Sequence, residues 1–290
     1  MALDTNSIVS IVELAAYVPA IIASFIVCRR HGFSRSSGWY YTFTLCLVRI
    51  IGAACQLGTI ASPDNIGLVK TAIILEHIGL TPLLLATLGM LSRLVDWINR
   101  QTTSPTITIK HFRLIQLLVV LGAVLGIVGG SSGNDNPNSP STESDVAVIF
   151  YLVTFAALVL ILLVSAPSRS LVPEDERIIV PAVALALPFI AVRVLYSLLV
   201  VFVHSGAFAK IGGPIAVHLC MATAEEFVVV AIYLFLGFRL DRLDESEQGE
   251  ILSRPWKDRS RRNRRRNRRR HHSRSRSGRS YDPEQGQEHW

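Results

Sequence analysis

Charge is scarce where it would be expected. The first 238 of the 290 residues carry 13 Lys+Arg and 13 Asp+Glu, a net of zero. Soluble domains are charged at roughly a quarter of their positions, so an ordinary soluble globular protein is excluded. Cysteine is sparse too: Cys28, Cys46, Cys55 and Cys220 lie in or at the ends of long apolar runs, with no CxxC spacing. That argues against a disulfide framework and against a cysteine zinc site, and it fits small apolar fillers. No Lys or Arg precedes the first apolar run and no small-residue cleavage site follows it, so a cleaved leader is not expected. The sequence also lacks a glycine-rich phosphate loop and a nucleophile elbow.

What is abundant is uninterrupted apolar sequence. A membrane helix needs about 20 largely apolar residues. Seven runs qualify: 8–28, 39–61, 68–91, 114–130, 146–165, 179–203 and 216–238. Buried core helices are usually shorter and amphipathic. The expected fold is therefore all-α: a seven-helix transmembrane bundle over 1–240, followed by a disordered basic tail over 241–290. Short connections imply antiparallel neighbours, and no internal repeat points to an inverted-repeat transporter.

Basic residues set the orientation. Arg29, Arg30 and Arg35 lie in the first connection, Arg93, Arg100, Lys110 and Arg113 in the third, and Arg169 and Arg177 in the fifth, all on the side of the tail. The opposite side has only Lys70 and Lys210. The N-terminus is thus expected outside or lumenal and the C-terminus in the cytosol, with the organelle unspecified.

The tail holds eight arginines in ten positions: Arg261, Arg262, Arg264, Arg265, Arg266, Arg268, Arg269 and Arg270. It has no apolar periodicity, so it reads as disordered. Its expected contact is anionic lipid of the cytosolic leaflet, at about 1 kcal/mol per basic residue near the surface. Phosphorylation at Ser273, Ser275, Ser277 or Ser280 would weaken that contact. Nucleic acid is disfavoured as a partner because seven spans precede the arginines.

The informative residues are the ionisable ones inside the spans. Such groups are costly in hydrocarbon, so they face the bundle interior and pair. They are Arg49 in the second span, Glu76 and His77 in the third, Arg193 in the sixth, and Glu225 and Glu226 in the seventh; Glu13 reads as shallower on the first. Counted from the outer ends at 1.5 Å per residue, Arg49, Glu76, Arg193 and Glu225 share a layer roughly 12–18 Å deep. The expectation is a buried network in which Glu76 and one or both of Glu225 and Glu226 hold the two arginines. Adjacent glutamates point about 100° apart on a helix, so one should reach a given arginine. Arg193, Tyr196 and Ser197 share a face by i, i+3, i+4 spacing.

Other features concern packing. Pro19, Pro82, Pro181 and Pro188 interrupt or open spans and imply kinks or hinges. Gly122, Gly126 and Gly130 form one small-residue face, suited first to intramolecular packing and alternatively to a homodimer seam.

At these residues the chain resembles an uncharacterised family of fungal seven-transmembrane proteins, defined only as a domain of unknown function. The resemblance lies in 30–39 (RHGFSRSSGW), 49–53 (RIIGA), 79–93 (GLTPLLLATLGMLSR), 187–197 (LPFIAVRVLYS) and the Glu225–Glu226 pair, in that order. It covers roughly 5–240 and leaves the tail outside. It implies seven spans and a membrane location, and brings no activity, cofactor or catalytic residue.

Several activities lose support. A retinal protein needs a Schiff-base lysine in its last span, and 216–238 has none. The acidic-Arg-Tyr and Asn-Pro-x-x-Tyr signatures of heptahelical G-protein-coupled receptors are absent. A zinc-dependent membrane hydrolase needs converging His and Asp ligands. Only His77 and His218 fall in spans, without ligand spacing. The expectation is a non-enzymatic, cofactor-free membrane protein, receptor-like or ligand-sensing, with cytosolic protein partners for its basic loops. A transporter or proton/ion pathway through the Glu76/Arg193/Glu225 layer is the alternative, and a membrane scaffold the second.

Overall fold

A computed structural model describes residues 5–32, 37–62, 65–103, 106–131, 142–203, 217, 219–243 and 249–253. The chain divides into two units, Met1–Leu252 and Ser253–Trp290. The arginine-rich run Arg261 to Arg270 and its serines lie outside the described residues.

Among the described residues of the first unit, every regular element is a helix. Its elements are α1 (Thr5–His31), α2 (Ser37–Ala61), α3 (Ile66–Ile78), α4 (Leu80–Gln101), α5 (Ile109–Ser131) and α6 (Thr142–Ser165). Two 3₁₀ turns (Ala166–Leu171 and Glu174–Ile178) lead into α7 (Ile179–Phe202). A π-helical turn (Leu219–Thr223) opens α8 (Ala224–Arg239), and a last short turn, α9, covers Glu250–Ser253.

Among the described residues, seven spans are long and apolar enough to cross a membrane: Ile8–His31, Gly38–Thr59, Gly67–Gln101, Ile109–Ser131, Thr142–Leu171, Glu174–Phe202 and Leu219–Arg239. The protein is a multi-pass membrane protein. Its surface shows the inversion that lipid demands: Ile22, Phe25 and Ile26 of α1, Leu114, Leu117 and Val124 of α5, Leu160 and Leu163 of α6 and Phe235 of α8 are exposed. Arg49, Arg193 and Glu226 are buried. In water that pattern would expose a large apolar surface; in a bilayer it hides the charges and bathes the apolar groups in lipid.

The third span differs from expectation. A single helix over 68–91 is expected, but the span runs to Gln101 and breaks at Gly79 into α3 and α4. Pro82 explains the position. It has no N–H to give the Ile78 carbonyl four residues back, and its ring crowds that carbonyl. α4 is the centre of the bundle. Every residue from Pro82 to Asp96 is buried, and α4 packs against α2, α5, α6 and α7. An 18-residue apolar window of its span is 89% buried, against 22% for that of the peripheral α5. Around it, α1 pairs with α2, α5 with α6, α6 with α7 and α7 with α8, and α8 meets α1 to close the ring.

The small-residue face of α5 packs against other helices of the same chain. A Cβ at Gly122 would lie 2.9 Å from the Tyr151 ring of α6, and one at Gly130 would lie 2.9 Å from Ile74 of α3. Gly126 faces Ala147 of α6 at 3.9 Å.

A short segment after α8 packs back on the bundle: Ile251 is buried. The Asp96 carboxylate at the end of α4 accepts the Ile251 and Leu252 N–H groups at 3.0 and 2.8 Å. These are orphan donors of a helix start, the groups an acidic side chain satisfies best. Gly249 fits there because a Cβ would sit 2.6 Å from an Asp96 oxygen.

Candidate functional site

Arginines from two helices converge on one carboxylate of a third. Glu226 of α8 is completely buried. Its Oε2 accepts from Arg49 Nε of α2 at 2.6 Å, and its Oε1 accepts from Arg193 Nε of α7 at 2.6 Å. Arg49 Nη2 also lies 2.6 Å from Oε1. Arg193 spends its other donors on the Ser197 hydroxyl, one turn further along α7, at 2.6 Å and on the Glu76 backbone carbonyl at 3.0 Å. The guanidinium sits 5.7 Å from the centroid of the Tyr196 ring. A guanidinium has five N–H donors in a fixed fork, and this arrangement spreads those of Arg193 over three helices.

The break between α3 and α4 belongs to the site. Glu76 ends one turn before Gly79, so its carbonyl is presented to Arg193 where the helix is interrupted. A Cβ on Gly79 would lie 3.5 Å from both Arg49 Nε and Glu226 Oε1 and 3.3 Å from the Glu76 carbonyl. The backbone there has an ordinary φ of −52°. An added methyl would thus rest in van der Waals contact with both members of the ion pair.

On the far side of Arg49 stands α1. Glu13 is buried and 4.0 Å from Arg49 Nη1. It accepts from the Thr223 hydroxyl at 2.6 Å. Thr223 closes the π-helical turn, and such turns concentrate at functional positions because the extra residue re-aims side chains. The centre holds two arginines and two glutamates, so it is electrically balanced. Breaking a buried pair of this kind costs about 3–5 kcal/mol, since the remaining charge is stranded.

The residues expected at this site divide clearly. Arg49, Arg193, Tyr196 and Glu226 come together. Glu76 contributes its backbone carbonyl to Arg193. Glu225 is only partly buried, and one of its oxygens lacks a hydrogen bond. Glu226 is the carboxylate that reaches both arginines. The side chain of His77, and His218 altogether, lie outside the described residues. Glu13, Thr223 and Ser197 complete the site. Glu13 reads as shallow by residue count, but Thr223 donates to it and Arg49 lies beside it.

A second cluster sits at the opposite ends of the helices, where the basic residues gather. It serves mainly to cap α8. The last carbonyls of a helix have no partner within it. Here the Phe238 carbonyl accepts from Arg30 at 2.8 Å and the Gly237 carbonyl pairs with His31 Nε2 at 2.8 Å. Trp39 Nε1 donates to the Tyr233 carbonyl at 3.0 Å. His31 stacks on Trp39 with centroids 4.0 Å apart. Arg93 lies 5.5 Å from the Trp39 ring, forms a bidentate pair with Glu176 and donates to the Asp241 carbonyl at 2.9 Å. Arg30 pairs with Asp241 at 2.9 Å, mostly in the open. Gly237 permits the close packing: a Cβ there would lie 2.5 Å from both Trp39 and Val27. The 30–39 segment holds Arg30, His31 and Trp39 and the 79–93 segment ends on Arg93, but neither says what these residues touch. The available signal was a His and a Trp at span ends among arginines, which also reads as a simple orientation signal.

Among the described residues, no three His, Cys, Asp or Glu side chains gather in a way that could hold a metal ion. The chain belongs to the family described as Domain of unknown function (DUF7702), which it matches over residues 3–243. No curated protein and no solved structure matches it.

Proposed function

We propose that this multi-pass membrane protein is receptor-like, and that its ligand acts on the Arg49–Arg193–Glu226 centre. The observation that carries the reading is the sharing of one carboxylate between arginines on two different helices. A ligand bearing its own carboxylate would compete with Glu226 for those donors. Losing that shared partner would re-space α2, α7 and α8 together. α8 leads from this centre to the capped cluster at the basic end, so a change at one end has a rigid path to the other. The basic loops fit a cytosolic orientation by the positive-inside rule and would face protein partners there. The arginine-rich tail would add attachment to anionic lipid, which predicts salt-sensitive liposome binding of a 254–280 peptide.

A second reading is a transporter or ion pathway. The interrupted third span favours it, because broken helices that offer backbone carbonyls at mid-membrane are a recurring transporter device. Proton and ion flux in proteoliposomes separates the two. The receptor reading expects no flux under a pH gradient or an applied potential. It also expects Ser197→Ala, which removes one Arg193 acceptor, to change the labelling rate of a cysteine placed at Arg239. Flux that Arg193→Lys abolishes in folded protein would replace the receptor reading with the pathway. With neither flux nor altered labelling, a scaffold role would stand instead.

A further inference from the structure

We infer that a water molecule resides beside the charged centre, bound by Tyr17 and Glu13 of α1 and Arg49 of α2. Three observations converge there. Tyr17 is fully buried, and its hydroxyl has no hydrogen-bond partner among the described residues. It lies one helical turn beyond Glu13 on α1, within electrostatic reach of Glu226, Arg49 and Glu13. Arg49 Nη2, close to Glu226 Oε1, makes no aligned hydrogen bond. Arg49 Nη1 and Glu13 Oε1 are 4.0 Å apart, beyond hydrogen-bond length. Glu13 itself is held off by Thr223, which binds the same Oε1.

Buried polar atoms are almost always satisfied, and those that protein groups do not satisfy are satisfied by buried water. Water suits this position chemically. It accepts from the Tyr17 hydroxyl or the Arg49 guanidinium and donates to the Glu13 carboxylate, so one molecule meets the needs of all three. Buried waters typically make two to four hydrogen bonds, which this set provides. The consequence is architectural. α2, α7 and α8 are joined at the centre by direct ion pairs. α1 is joined by the Glu13–Thr223 bond and an exchangeable water. The inference concerns hydration and holds whether the protein senses or transports.

Tyr17→Phe decides it, because the two cases differ in sign. The ring is kept, and with it the edge-on contact to Phe227 at 5.7 Å. If the hydroxyl is a true orphan, removing it relieves a burial penalty and raises the melting temperature of the purified full-length protein. If it holds a water, Tyr17→Phe strands that water's other partners and lowers the melting temperature by about 2–4 °C. A rise, or no change, overturns the inference. A second readout keeps it testable if the shift is small. Glu13→Gln should cost measurably less in the Tyr17→Phe background than alone, as expected for two residues sharing one ligand. Strictly additive shifts would also overturn it.

Discussion

Two clusters of arginine and carboxylate hold this bundle, and they do so in different ways. At the centre, side chain binds side chain: Arg49 and Arg193 meet on Glu226, and three helices depend on one carboxylate. At the basic end, side chains mostly bind backbone: Arg30 and His31 cap the last carbonyls of α8, Trp39 adds a bond to the Tyr233 carbonyl within it, and Arg93 divides itself between Glu176 and the Asp241 carbonyl. The difference follows from what each depth leaves unsatisfied. In mid-membrane the helix backbone largely satisfies itself, the Glu76 carbonyl that Arg193 reaches near the break between α3 and α4 being the exception, so the need for partners falls mainly on side-chain charges. At a helix end the carbonyls are orphaned and attract any donor. The central cluster therefore concentrates its risk in one residue, whereas the end cluster spreads it over many.

That contrast makes graded predictions. Glu226→Ala should have the largest effect. It strands two buried cations, each worth about 3–5 kcal/mol when unpaired, and little monodisperse protein should survive size-exclusion chromatography. Glu176→Gln comes next, at about 3 kcal/mol, because one buried arginine loses its partner but retains the Asp241 carbonyl; thermal unfolding in detergent reads this. Gly237→Ala should cost about 1–3 kcal/mol by forcing Trp39 and Val27 apart, with tryptophan fluorescence reporting the shift. His31→Ala removes one carbonyl cap and one stacked ring, for about 1–2 kcal/mol. Arg30→Gln should be smallest. That side chain is 43% exposed, so its ion pair is screened by solvent and its loss should fall under about 1 kcal/mol and fade with added salt. If Arg30→Gln were as damaging as Glu226→Ala, the distinction between the clusters would fail.

Much of the fold is legible in the sequence because a bilayer imposes a crude, strong rule. Seven apolar runs give seven spans, and rare charges within them must face inward and pair. Arg49, Arg193 and a glutamate of the last span follow from that rule alone. What is not legible depends on angle rather than depth. Glu225 and Glu226 differ by one step of helix rotation, and no count of residues decides which meets the arginines. Glu76 lies at the right depth, but it is its carbonyl that meets Arg193. That depends on the break at Gly79, which Pro82 signals without saying which carbonyl is offered to whom. Glu13 reads as too shallow because depth counted from a span end does not say where neighbouring helices meet, and Thr223 and Arg49 meet it there. The bonding of Arg30, His31 and Trp39 to α8 is hidden for another reason: arginines at span ends serve the positive-inside rule as well as any contact.

The central claim is that Glu226, and not its neighbour, is the common partner of both arginines. Double-mutant cycles of unfolding test it most directly, pairing Arg193→Gln first with Glu226→Gln and then with Glu225→Gln. The geometry predicts strong coupling with Glu226 and additive effects with Glu225. Strong coupling with Glu225, or additivity with Glu226, would contradict the site described.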